Sequence, residues 1–286
     1  AEAEDLENEV ELMIKRSTDL EEAQKKASAP ACLYKELEAP FSILREFGGI
    51  DLESDQVDDS DLYKRLCDFS ANGMEDLVDL IGFYDEKEAL FDSQGIEELI
   101  DAVLSPVVSL KSGGNIIISE TPALTAIDVN TGSNTNGGRE QNTLLTNQEA
   151  AEEIANQIQI RNLSGLLVID FVTMRKRENQ EKVFQSLKTF LGDDPIRPHV
   201  VGFTKLGLLE MTRRRKGLSL SEIFSEQGLG FMKSAKTIGF GVLRGVLKEV
   251  TLASKSNFTI FAAPDLIDIL EGDLAALFTC RLERHT

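Results

Sequence analysis

Residues 115–203 constrain the fold more than any other part of the chain, because short apolar runs alternate there with segments of helical period. "NIIIS" and "ALTAID" have strand length, and the Glu-Thr-Pro between them predicts a hairpin. In "TNQEAAEEIANQIQI", Thr146 and Glu149 have the form of a capping box, and Ile154 and Ile158 lie one turn apart, so the spacing predicts a helix. "SGLLVIDFV" then reads as a buried strand, "ENQEKVFQSLKTFLG" as a helix stopped by a glycine, and "PHVVGFT" as a further strand. That order predicts an α/β layer on a largely parallel sheet.

Two of these strands stop on an aspartate. Side chains alternate along a strand, so Asp128 and Asn130 share a face, and "GLLVID" ends in the same way on Asp170. Ligands of open α/β sheets collect outside the carboxyl ends of the strands. Two carboxylates and an amide oxygen meeting there would make a hard, oxygen-only site suited to Mg²⁺, with Mn²⁺ able to substitute. Turn or cap duty would also account for each aspartate, and spacing alone leaves both roles open. The loop "TGSNTNGG" does not match a dinucleotide-binding glycine pattern.

Candidate binding residues are basic. "KLGLLEMTRRRKG" supplies Lys205, Arg213, Arg214, Arg215 and Lys216, either a solvated face or a grip on a nucleic-acid backbone by counterion release. Arg197 stands between two prolines in "DPIRPH", whose fixed φ angles would hold it rigidly; a surface-loop role is the alternative. A net charge of −19 argues against a polyanionic partner until its distribution is considered. Residues 1–104 carry 29 acidic and 9 basic side chains, so the remainder is close to neutral. Screening confines surface fields to roughly 8–10 Å at physiological salt, so a basic patch can act locally.

The rest of the chain adds boundaries. Residues 5–28 predict an amphipathic helix with Leu6, Val10, Met13 and Ile14 on one face, and an acidic α/β region follows to about residue 103. Beyond residue 232, after the Gly-rich "SEQGLGF", a helix, the strand "NFTIFAAP" and a final helix predict a small separate α/β domain. No apolar window has membrane-spanning length, the amino terminus lacks a signal-peptide core, and the three cysteines form no CxxC pair. These features predict a cytoplasmic protein.

"ALTAIDVN", "TNQEAAEEIANQIQIRNLSGLLVIDF" and "GLLEMTRRR" together resemble the catalytic core of the ribonuclease E/G family. The resemblance implies a helical remnant of a 5′-sensor region over 1–39 and an RNase H-like region over 40–103, with "ILREF" at Arg45 resembling that region's Arg-Asp segment. It further implies a DNase I-like catalytic domain over 104–220, a linker over 221–231 and a small oligomerisation domain over 232–286. The implied function is Mg²⁺-dependent internal cleavage of single-stranded RNA, leaving a 5′-phosphate, by a homo-oligomer, a dimer in the full-length protein. Asp128 and Asp170 would then hold the metal, Asn130 would complete the catalytic set, and Arg197 would contact a 5′-monophosphate. The basic residues Lys205, Arg213, Arg214 and Arg215 would bind RNA.

Three departures qualify this. The family's S1 RNA-binding domain and the Arg-Thr pair of its 5′ sensor are not in the sequence, which reads as a piece starting just after them and predicts weak or absent activity in isolation. Ile223 and Glu226 stand where the family's zinc-link cysteines would be, so no bound zinc is expected. The family's "DFIDM" reads "DFVTM", with Thr173 in place of an acid. A non-catalytic RNA-binding or scaffold protein of the same fold is the alternative, and a generic α/β phosphotransfer enzyme is a third.

Overall fold

The computed structural model describes residues 3–33, 38–48, 52–71, 74–86, 88–132, 139–226, 232–252, 259–272 and 274–275. The chain divides into two compact units, Ala1–Glu86 and Lys87–Thr286. The division precedes the boundary expected near residue 103, because segment 88–104 is bound to the C-terminal helices. Lys248 Nζ reaches Asp92 Oδ2 at 3.3 Å, and Arg244 reaches Glu97 at 3.0 Å.

The first unit runs α1 (Ala3–Lys26), α2 (Ala39–Phe47), β1 (Asp55–Val57), α3 (Ser60–Ser70), α4 (Glu75–Val78) and β2 (Ile81–Phe83). β1 and β2 pair in parallel, with Asp55 opposite Ile81, as a helical crossover between them requires. Phe41, Leu44, Val57, Leu66, Leu77 and Ile81 form its core. The helix expected at the amino terminus is present, and Val10, Met13 and Ile14 on its apolar face are exposed; the side chain of Leu6 lies outside those described.

The second unit begins with α5 (Leu90–Ser93), α6 (Ile96–Leu104), β3 (Val107–Ser109), β4 (Asn115–Glu120) and β5 (Thr125–Asn130). It continues with α7 (Arg139–Ile160), β6 (Gly165–Asp170), α8 (Arg177–Phe190), β7 (His199–Phe203) and β8 (Leu209–Arg213). Last come α9 (Leu220–Phe224), α10 (Ala235–Leu252) and α11 (Pro264–Glu271). The strands form one mixed sheet in the order β3-β4-β5-β6-β8-β7.

The expected hairpin is β4 and β5, with Asn115 opposite Asn130. The expectation of a largely parallel sheet is corrected: only β5 and β6 pair in parallel, across the α7 crossover. β7 runs in the same direction as β6, but β8 turns back and takes the place between them. The capping box at Thr146 is also corrected. α7 starts at Arg139, so Thr146 is a buried mid-helix residue. The Glu149 carboxylate instead accepts the Ser112 backbone N–H at 3.0 and 3.1 Å.

One face of the sheet is packed. Ile116, Ile118, Ile127, Val129, Leu167, Ile169, Leu209 and Met211 meet Ala150, Ala151, Ile154, Ala155 and Ile158 of α7 and Val183 and Leu187 of α8. Each large aliphatic side chain so buried contributes about 1.5–3 kcal/mol. The opposite face carries the alternate residues, and Ala126, Asp128, Asp170 and Thr212 are exposed on it. A one-residue slip of β5 or β6 would drive a carboxylate into the core, so the apolar pattern fixes where the aspartates stand.

The C-terminal region is helical among the described residues. Residues 259–263, most of the segment expected as a strand, form none; residues 257–258 lie outside the described set. No helix among the described residues is long and apolar enough to cross a membrane.

Candidate active site at the carboxyl edge of the sheet

The parallel pairing of β5 and β6 makes Asp128 and Asp170 register partners, both exposed at the carboxyl ends of their strands. Neighbouring strands lie about 4.8 Å apart, so the two carboxylates are adjacent on the open face. Asn130 follows on the same face of β5. Its Nδ2 donates to Asp128 Oδ2 at 2.8 Å and, at the longer distance of 3.4 Å, to Asn115 Oδ1. An ionised carboxylate only accepts, so the amide nitrogen is committed and Oδ1 is the atom Asn130 can offer a ligand. No group of three or more Asp, Glu, His or Cys able to hold a metal forms among the described residues, which leaves two carboxylates and an amide as the donor set.

Backbone contacts fix the end of β5. A Cβ on Gly132 would stand 2.3 Å from the Gly113 oxygen, and one on Gly114 would stand 2.4 Å from the Asn130 oxygen. Only glycines permit that approach, so "SGG" before β4 and "TG" after β5 belong together. Residues 133–138, the remainder of the polar loop, lie outside the described set.

The segment after Asp170 is held by α7. The buried Asn147 accepts the Val172 N–H through Oδ1 at 3.0 Å and donates from Nδ2 to the Val172 oxygen at 2.8 Å. The Glu140 carboxylate accepts the N–H groups of Lys176 at 3.2 Å and Arg175 at 3.5 Å, and Asn179 Nδ2 at 3.0 Å. The Lys176 N–H, chiefly, holds the Glu140 carboxyl below the usual carboxylate range. Sequence reasoning missed both α7 residues, because no local signal ties a helix position to a loop 25 to 36 residues away.

The structure separates the expected basic residues. Because β8 runs antiparallel to β6, Arg213 pairs with Gly165, at the end of the sheet away from Asp170. Arg197 lies just before His199, which pairs with Thr212, and so belongs to the same far end. Lys205 alone, in the turn joining β7 to β8, lies toward the Asp170 edge, since Leu209 pairs with Ile169.

Arg213 requires a correction as an RNA contact. It is buried, donating from Nε to Asp194 Oδ2 at 2.7 Å, from Nη2 to Asp194 Oδ1 at 3.3 Å, and from Nη1 to Asn162 Oδ1 and the Leu163 oxygen, each at 2.9 Å. Arg215 donates to both oxygens of Glu222 at 2.6 Å, which lowers the pKa of that carboxyl. Arg214 is exposed.

Arg197 is exposed with φ of 52°, in the left-handed region, although a residue before proline is ordinarily extended. The turn is organised by Asp194, whose Oδ1 accepts the Ile196 N–H at 3.0 Å and whose backbone oxygen accepts the Arg197 N–H at 2.9 Å.

Basic residues passed over in the sequence lie in the segment that leaves the Asp170 end of β6 and enters α8. Arg175, Lys176 and Arg177 in "TMRKRE" are exposed and follow Asp170 directly. Their signal was a basic run five residues downstream of a candidate ligand. Thr173 is exposed, and nothing in the structure explains its replacement of an acid.

The zinc-link positions do not fit zinc: Ile223, an exposed apolar residue, and Glu226 offer neither thiolate nor imidazole. Hydrogen bonds close this segment instead. Ser219 and Glu222 form a capping box at the start of α9, and the Ser234 N–H and Thr237 Oγ1 donate to the Phe224 oxygen at 2.8 and 2.9 Å.

Comparison with known proteins adds family evidence to this geometry. The profile of the Ribonuclease E/G family matches residues 1–216. The chain is 33% identical over 276 residues to Ribonuclease G of Haemophilus influenzae, covering 94% of this chain and 56% of that protein. It is 30% identical over 262 residues to Ribonuclease G of Escherichia coli K12, covering 90% and 54%. It is also 35% identical over 222 residues to Ribonuclease E of a Nostoc species, covering 76% and 32%. The chain thus spans about half the length of the ribonuclease G relatives it matches.

Proposed function

The chain belongs to the ribonuclease E/G family, and on that premise we propose that it is the core of a divalent-metal-dependent endoribonuclease acting on single-stranded RNA. The observation that carries the proposal is the side-by-side register of Asp128 and Asp170, with Asn130 bonded to the first of them. Two carboxylates and an amide oxygen on an open, exposed edge suit Mg²⁺, which takes few protein ligands and keeps several waters. Such an ion, when bound, supplies positive charge to the phosphodiester and acidifies water for attack.

The chain's own residues supply placement. Asp128 and Asp170 would hold the ion, and their strand positions are fixed by the core behind them. Asn130, its nitrogen committed to Asp128 and Asn115, would offer Oδ1 as an acceptor to water or to a ribose hydroxyl. Arg197 lies beyond His199, which is level with Leu166 and about 13 Å along the sheet from Asp170 at 3.3 Å per strand residue, too far for the scissile phosphate. We assign it to a phosphate elsewhere on the strand, the 5′-monophosphate implied by the family resemblance. Lys205 and Arg214 remain backbone contacts in this reading, and Arg213 does not.

The test is a cleavage assay on 5′-monophosphorylated and 5′-hydroxyl RNA oligonucleotides, with and without Mg²⁺. Asp128→Asn and Asp170→Asn should each lower cleavage by more than about 100-fold, beyond what loss of a metal ligand's supporting partner costs, with the unfolding midpoint unchanged. Near-normal turnover in either variant refutes the metal assignment.

A further inference from the structure

We infer that Arg175 and Arg177 form a phosphate-binding pair that holds the RNA strand beside the Asp128–Asp170 edge. The inference rests on the endoribonuclease reading and adds a binding site to it. A nuclease needs cations near its carboxylates, because two aspartates repel the polyanion they are to cut. Of the residues expected to supply them, Lys205 alone lies toward that edge: Arg213 is buried against Asp194 and Arg215 is bonded to Glu222, both at the far end of β8. Arg175 and Arg177 stand five and seven residues beyond Asp170, exposed, with no side-chain partner among the described residues. Lys176 between them is exposed too, but it is a point charge, whereas the two arginines carry the planar donor fork that a phosphate calls for.

Their backbone is prepared for this. Glu140 accepts the Arg175 and Lys176 N–H groups, and Asn147 takes both the N–H and the oxygen of Val172. The segment that carries the arginines is therefore bonded to a helix whose other face is core, and little order has to be gained on binding. Guanidinium groups suit the partner, since their donor fork matches phosphate oxygens bidentately.

The experiment measures binding of a fluorescent 5′-hydroxyl single-stranded RNA by anisotropy, in EDTA so that no cleavage occurs, across a salt series. Each phosphate contact contributes a slope of about −0.7 in log K against log salt for single strands. Arg175→Ala/Arg177→Ala should therefore flatten the slope by about 1.4 and weaken binding, with an unchanged unfolding midpoint. Lys25→Ala/Lys26→Ala, an equal change of charge on α1, should leave the slope where it was. An unmoved slope in the arginine variant, or equal flattening in the lysine variant, overturns the pair. If cleavage still depends on Asp128 while the slope is unmoved, the pair falls and the nuclease reading stands. No RNA binding together with no Asp128-dependent cleavage overturns both.

Discussion

Arg213 and Arg214 are neighbours of identical chemistry in opposite situations. Arg214 is solvated, whereas the Arg213 guanidinium is 4% exposed against an Asp194 carboxylate that is 0% exposed. Removing one partner of such a pair strands the other charge in a low dielectric, which costs about 3–5 kcal/mol. Asp194→Ala should therefore lower the urea unfolding free energy by about that amount, whereas Arg214→Ala should change it by less than about 0.5 kcal/mol. The Asp194 carboxylate also accepts the Ile196 N–H in the turn that carries Arg197, so its loss should weaken any preference for a 5′-monophosphate as well. Nothing in "TRRRKG" separates the two arginines, because the distinction is made by an aspartate 19 residues away. The aspartates of the candidate site were legible for the converse reason. Each ends an apolar run whose alternation already says which way it points.

At the scale of elements, the apolar periods gave the hairpin, both long helices and the two strands that carry the aspartates. β8 stayed hidden, since "LLEMTRRR" reads as a basic run once its charges are counted, and without β8 the sheet looked parallel. The start of α7 was misplaced because "REQNTLL" has too few apolar residues to show a period, while Thr146 and Glu149 have a cap's spacing by coincidence. The same helix carries a pH dependence. Glu140 is depressed below the usual carboxylate range chiefly by the Lys176 N–H, so folding favours its ionised form. The stabilisation is fully present above the unfolded value, about 4.3, and is lost as pH falls through the lower folded value. Exchange protection of the Arg175 and Lys176 amides should follow that course. In Glu140→Gln, whose side chain accepts without titrating, protection should be weaker and independent of pH. PH-dependent protection persisting in Glu140→Gln would show that another group controls the segment.

For the whole molecule the question is which contacts close the second unit around Ile223 and Glu226, where the family resemblance would place zinc-link cysteines. The first unit carries 24 acidic and 8 basic side chains and the second 25 and 22, so the charge excess of the chain resides mainly in the part without the candidate site. In the second unit, ion pairs join α10 to segment 88–104 through Lys248 with Asp92 and Arg244 with Glu97. Ahead of α10, Lys233 pairs with Asp101. The segment from Ser219 to Thr237 is closed by a capping box and by bonds to the Phe224 oxygen. A domain that owes its closure to structural zinc unfolds or dissociates when the metal is removed, because metal binding is then part of its folding free energy. This chain should behave otherwise. Zinc measured by elemental analysis should be well below one atom per two chains, and prolonged EDTA should change neither the sedimentation mass nor the urea midpoint. Ser219→Ala, by contrast, should destabilise by about 1 kcal/mol through loss of the cap. A chelator-induced fall in mass would mean that ligands other than Ile223 and Glu226 bind zinc, and that the homo-oligomer expected of the family is metal-linked here after all.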